Sequence, residues 1–378
     1  MGMKYHKSMA MIAVAALSCI LGCGSDDGSN DFEQGKEAYG FRDLRRAEKL
    51  FSRSLAAAPQ DTDRLLYLAR TELELGELAK AKELVDRAAE NAGDASDVRL
   101  LGAQIAWHAK DYAAASSGFA RIANDAKLEA PIRAQGWAGL GVVEMTCDNH
   151  HLARVAFLRS IRLDRRNAAA WYHLGLLYRD GFGYMEAALE QLEIFVRLEE
   201  QASPRVQKVQ RTIIPALKEA ISRAATERPG VARRNSSACA SAIATAEAAQ
   251  KKGSAKAARD AYQRALAADP LSYPAALGLA RAWEKTDATK AGQTKAFENY
   301  KVACTLRPSA VTTFLTAGAL AAKLGMTLQS VEIYSRAVAA NPTSLEAIDG
   351  LIRALRKSGG KARVAEAYQQ YRLSLARK

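Results

Sequence analysis

The sequence predicts an all-α fold built from repeated helix pairs, on three observations. Aromatic residues make up only 7% of the 378 residues, whereas alanine, the best intrinsic helix former, is abundant, and strands would call for more aromatic and β-branched side chains. With 25 Gly, 9 Pro and 49% hydrophobic residues, the composition is that of a globular protein and excludes collagen-like and disordered classes. The third observation is self-similarity at a fixed period. Trp137-Ala138-Gly139-Leu140-Gly141 recurs 34 residues later as Trp171-Tyr172-His173-Leu174-Gly175, and Pro308 and Pro342 are separated by the same interval.

Residues 1–22 read as an export signal. Lys4 and Lys7 precede an apolar run from Met9 to Leu21, and that run is shorter than the ~20 residues a membrane-spanning helix needs. Its end, Ile20-Leu21-Gly22-Cys23, resembles the lipobox of bacterial lipoproteins, although Leu21 is bulkier than the usual small residue. The resemblance implies that a peptidase cuts before Cys23 and that the Cys23 thiol carries a diacylglycerol. Each buried CH₂ then contributes ~0.8 kcal/mol, so two or three acyl chains anchor the chain without spanning the bilayer. By the same resemblance Gly24, standing where an inner-membrane retention signal has Asp, implies an outer-membrane address facing the periplasm. Ser25 to Asn30 are small and polar, making 23–31 a short flexible tether.

From residue 32 the 34-residue period organises the chain. Units begin near Gly28, Thr62, Ser96, Ala134 and Ala168, forming a first array over 32–202, and again near Cys239, Tyr273, Val311 and Leu345, forming a second over 239–378. Gly35, Ala47, Phe51, Ser54 and Pro59 mark the first unit. Ala246, Ala258, Tyr262, Ala265 and Pro270 mark the sixth. The third and ninth fit less cleanly. One unit alone cannot bury its apolar face; small residues let two antiparallel helices approach, large ones fill the gap to the next unit, and Pro stops the second helix.

Between the arrays, 203–238 departs from the period. Val206, Val209, Ile213, Leu217, Ile221 and Ala224 follow helical spacing, which predicts an amphipathic helix capping the first array, kinked at Pro215. Arg228 to Ser237 then reads as an exposed linker and hinge.

In the eighth unit Phe314, Gly318, Ser330, Tyr334 and Ala337 precede Pro342, an order that resembles the tetratricopeptide repeat (TPR) family. The resemblance covers nearly all of the chain after the tether. It implies a right-handed superhelical solenoid in two arrays, with a concave wall of first helices that binds peptides or helices of partner proteins. In the first array that wall would carry the apolar strip Trp107, Val142, Met145, Tyr172 and Leu176; the same residues serve equally for packing between units or on the capping helix. In the second it would carry Lys251, Arg281, Lys285, Lys323, Arg353, Arg356 and Lys357. The family's chaperone-binding subclass, which clamps a terminal carboxylate with Asn, is disfavoured by Lys36, Arg70, Gln104 and Val142 at the equivalent places.

Charge divides along the same line. Residues 23–202 hold 23 Lys and Arg against 29 Asp and Glu, whereas residues 203–378 hold 29 against 12. The second array should therefore attract acidic matter. The alternative to a protein partner is direct binding of an anionic lipid, glycan or nucleic acid, and sparse aromatic platforms on that face count against nucleic acid.

Chemical motifs are missing. Cys147, Cys239 and Cys304 have no Cys-x-x-Cys spacing and read as buried small residues, with an odd count that leaves at least one thiol free. His150 and His151 adjoin but lack companion ligands, so no metal is expected. Gly136, Gly139 and Gly141 follow no strand, so they are repeat positions and not a phosphate loop. No acid and base pair, nucleophile or cofactor motif stands out. The expected function is a lipid-anchored scaffold or adaptor of the bacterial cell envelope, not an enzyme.

Overall fold

The computed structural model describes residues 28–93, 95–201, 203–227 and 231–376, and the secondary structure of these residues is helical throughout. The signal segment and Cys23 lie outside them. The described residues divide into two compact units, one ending at Gly93 and one running from residue 95 to 376.

The first unit contains α1 (Ser29–Gly40), α2 (Leu44–Ala57), α3 (Thr62–Leu75) and α4 (Leu78–Ala92). Asp43 and Asp61 start α2 and α3 by accepting from the backbone N–H of Arg46 and Arg64, which satisfies donors that a helix start leaves unpaired. Within the first pair a Cβ at Gly35 would lie 2.6 Å from the buried Phe51 ring, so the small residue is what admits the large one. Phe51 in turn packs against Phe32 and Tyr67, at centroid distances of 5.8 and 5.4 Å.

The second unit continues the pairs with α5 (Ser96–His108) and α6 (Tyr112–Asn124), α7 (Ala130–Thr146) and α8 (His150–Leu163), then α9 (Ala168–Leu176) and α10 (Met185–Leu198). After α11 (Pro204–Lys208) and α12 (Ile214–Thr226) come α13 (Ser236–Lys251) and α14 (Ala255–Ala268), α15 (Tyr273–Thr286) and α16 (Lys290–Leu306), α17 (Val311–Lys323) and α18 (Thr327–Ala340), α19 (Leu345–Lys357) and α20 (Ala362–Ala376). The expected starts at Thr62, Ser96, Ala168, Tyr273, Val311 and Leu345 are the first residues of their helices. The fourth unit begins earlier than expected, at Ala130, because Pro131 sits in the first turn, where its missing N–H costs nothing. A detail repeats with the fold: Ser54 Oγ donates to the Gly28 carbonyl at 2.8 Å, and Ser160 Oγ to the Ala134 carbonyl at 2.7 Å, the same position in two repeats.

Pro215 does not break its helix. The residues before it, Val209–Ile213, form a π-helical turn in which the Ile214 N–H reaches back five residues to the Val209 carbonyl, a local widening that makes room for the proline ring. A second π-helical turn, Leu177–Phe182, prolongs α9 and brings Phe182 and Tyr184 against α8.

Residues 203–238 lie inside the second unit, and one apolar core includes residues from both sides of them, from Ala138 to Tyr371. The reason is a contact that period-34 reasoning does not reveal: α8 packs on α20. At its centre Arg154 is fully buried. Its Nε donates to Tyr368 Oη at 2.6 Å, and one terminal nitrogen donates to the Ser335 carbonyl at 2.9 Å. The other lies 3.4 Å from His151 Nδ1. The guanidinium is 4.7 Å from the Phe182 ring centroid and 5.3 Å from that of Tyr368. Around it Arg363 donates to Glu144 at 2.6 Å and Tyr184 to Glu332 at 3.2 Å. These side chains clasp the fourth and fifth repeats onto the eighth and ninth.

Candidate functional site

The first helices of each pair carry the residues expected to face a partner. Of the apolar strip, Trp107 sits on α5, Val142 and Met145 on α7, and Tyr172 and Leu176 on α9. All five are half-buried against the repeat cores. The Trp107 indole donates to Thr146 Oγ1 at 3.3 Å. Tyr172 packs 5.1 Å from Phe195 and is covered by the Arg205 guanidinium of α11, also at 5.1 Å. Part of this strip is thus engaged in packing and in contact with the capping helix, and its outer edges stay in water.

The basic residues are fully presented. Lys251 on α13, Arg281 and Lys285 on α15, Lys323 on α17, and Arg353, Arg356 and Lys357 on α19 are all exposed, and none forms an ion pair among the described residues. Nearby carboxylates are already engaged: Glu284 accepts from the Tyr300 hydroxyl at 2.8 Å, and Asp349 is paired with Arg372. Lys251, Lys285, Lys323, Arg356 and Lys357 occupy the last turns of their helices, where the helix dipole favours a cation. First helices of successive repeats pack side by side, α13 on α15 and α17 on α19. Each of these pairs therefore presents exposed cations that no carboxylate pairs with among the described residues.

Buried titratable groups have structural causes. Burial, with Arg154 beside it, pushes His151 down to about 3, so it stays neutral. Burial and then Arg205 push His173 down to about 4. Cys304, buried on α16, has its thiol pushed up to about 12 by burial, and Cys239 is buried on α13, whereas Cys147 is exposed and not buried as expected. It caps the end of α7 at the turn into α8, outside the repeat core. His150 and His151 open α8; His150 faces Asp148 at 3.7 Å, and no cluster of three metal-ligating side chains occurs among the described residues. No helix among the described residues is long and apolar enough to cross a membrane.

A feature absent from the sequence reading is a cavity of about 610 Å³ bounded by the start of α10, the outer half of α12 and the last turns of α16 and α18. Ile221 and Ala224, at the outer end of the α12 stripe, line it, as do Leu306, Phe314 and Arg336. Sequence could have shown the stripe running past its buried part, but not what would stand opposite.

With this geometry in view, two tetratricopeptide repeat models match the chain, at residues 38–105 and 243–294. The chain thus carries tetratricopeptide repeats, a motif of protein-binding scaffolds. Solved structures it resembles include MamA (18% identity, 50% of this chain and 97% of that one, TM-score 0.34), PilF of Pseudomonas aeruginosa (14%, 66% and 95%, 0.39) and PilW, described as a type IV pilus biogenesis factor (16%, 67% and 98%, 0.40). At TM-scores below 0.5 these likenesses carry nothing about partner or location. No curated protein matches the sequence.

Proposed function

We propose that this protein is a membrane-anchored TPR lipoprotein that recruits or stabilises protein partners of a bacterial cell-envelope assembly through its first-helix faces. One observation carries the binding role: the first helices of the later repeats present seven exposed cations without internal counter-ions, an arrangement that favours an acidic partner surface. The anchor reading rests on the lipobox-like Ile20 to Cys23, and Gly24 after it supports an outer-membrane address facing the periplasm in a source with two membranes. A second reading draws on the same cations: direct binding of an anionic lipid or glycan.

The test is affinity capture from detergent-solubilised envelopes, beside a variant carrying Arg353→Glu, Arg356→Glu and Lys357→Glu, with washes at low and high salt. A defined protein set retained at high salt and reduced in the variant supports the scaffold. Recovery only of lipid or glycan, lost in salt and in the variant, supports the second reading. For the anchor, Cys23→Ala should move the protein from the membrane pellet to the soluble or unprocessed fraction; unchanged fractionation and mass would refute lipidation.

A further inference from the structure

Apart from the first-helix faces, we propose that the cavity between α10, α12 and the last turns of α16 and α18 is a second binding site, and that it takes a peptide segment with large apolar side chains flanked by Lys or Arg. The apolar part of this proposal comes from α12. Its stripe is buried through Val206, Val209, Ile213 and Leu217, but Ile221 is only half-buried and Ala224 is exposed, so the stripe continues beyond the core that covers it. These outer residues share the cavity with Leu306 and Phe314. At about 610 Å³, the space falls within the ~300–1,000 Å³ of pockets that hold ligands.

The charge part comes from the rim. Glu186 and Glu190, in the first turns of α10, line the cavity, are exposed and form no ion pair among the described residues. The one cation in the lining, Arg336, is ion-paired with Glu332, its Nε donating at 2.8 Å, and it also lies in the field of Glu186. Arg307, beside the lining residue Leu306, stacks on the Tyr273 ring at 4.2 Å and is not itself part of the lining. The last turns of α16 and α18 add carbonyls without helical partners, which carry partial negative charge. With Arg336 paired to Glu332, Glu186 and Glu190 leave the lining net negative. It therefore selects the opposite partner chemistry from the row of Lys and Arg on the first helices, and the same scaffold can hold two unlike segments at once.

The probe is a fluorescein-labelled twelve-residue peptide of alternating Leu and Lys, titrated by anisotropy into the full chain in detergent, with a Leu and Glu peptide as its counterpart. The Leu and Lys peptide should bind, and binding should weaken at least tenfold in Ala224→Trp, which fills the mouth, and in Glu186→Lys with Glu190→Lys, which reverses the rim. It should be unaffected by reversal of Arg353, Arg356 and Lys357, which separates this site from the first-helix reading. All three substituted cavity positions are exposed, so circular dichroism melting should match the parent. Equal affinity for both peptides, no binding of the Leu and Lys peptide, or binding unchanged in the rim variant would overturn the proposal. Should Ala224→Trp fail to fold, the rim variant alone decides.

Discussion

Arg154→Ala tests the clasp between α8 and α20. The parent guanidinium donates to Tyr368 Oη and to the Ser335 carbonyl, lies against two aromatic rings, and meets no carboxylate. Hydrogen bonds from a charged group contribute about 1.5–3 kcal/mol each, and a desolvated cation over a ring about 2 kcal/mol. Opposing them is the several kcal/mol it takes to bring a cation out of water, which the substitution recovers. What remains after truncation is a cavity plus a phenol and a carbonyl buried without their donor, at about 1–3 kcal/mol each. The expected net loss is about 3 kcal/mol, or roughly 5 °C in Tm for a unit of this size. Urea unfolding measures the loss, and hydrogen exchange localises it: amides of α20 should exchange faster while those of α13 and α14 hold. A double-mutant cycle with Tyr368→Phe should return a coupling of about 1–2 kcal/mol. A loss under about 0.5 kcal/mol, or zero coupling, would show that the two ends touch without supporting each other.

Two further predictions follow from burial and fit. His151 and His173 are held neutral, at about 3 and about 4, by burial, whereas in the unfolded chain both take up protons near 6.5. Stability should therefore be full above pH 6.5 and fall as pH drops toward 4, by on the order of 4 kcal/mol at pH 5. Urea midpoints across that range should flatten in the variant His151→Gln with His173→Gln, and an unchanged slope would refute the assignment. Tyr334 is held between two repeats, and a Cβ at Gly350 would lie 2.2 Å from its ring. Gly350→Ala should cost about 1–3 kcal/mol by overpacking, while Gly40→Ala, with nothing within 4 Å, should be neutral or stabilising in the same melt.

The repeat register was legible because it is written locally. Small and large residues recur at intervals of one unit, and each recurrence reports contacts within a pair or to the next pair, as Gly35 on Phe51 and Gly318 on Tyr334 show. The first-helix cations were legible for the same reason, since the repeat frame assigns each position a face. The α12 stripe was read correctly as helical, but its outer end was left without an assigned neighbour, because the residues opposite it come from α16 and α18, some 80 to 120 positions later.

Sequence alone thus determined the all-helical class, the helix pairs and the first residues of six of their first helices, because the pattern that encodes them repeats within 34 residues. Tertiary structure alone decided that Arg154 would be a buried clasp and not a surface charge, that His151 would be a buried neutral neighbour to it, and that α12 would wall a cavity. Each depends on contacts between repeats far apart in the chain. Those contacts are set by small rotations accumulated from pair to pair, and no single unit of sequence records that sum.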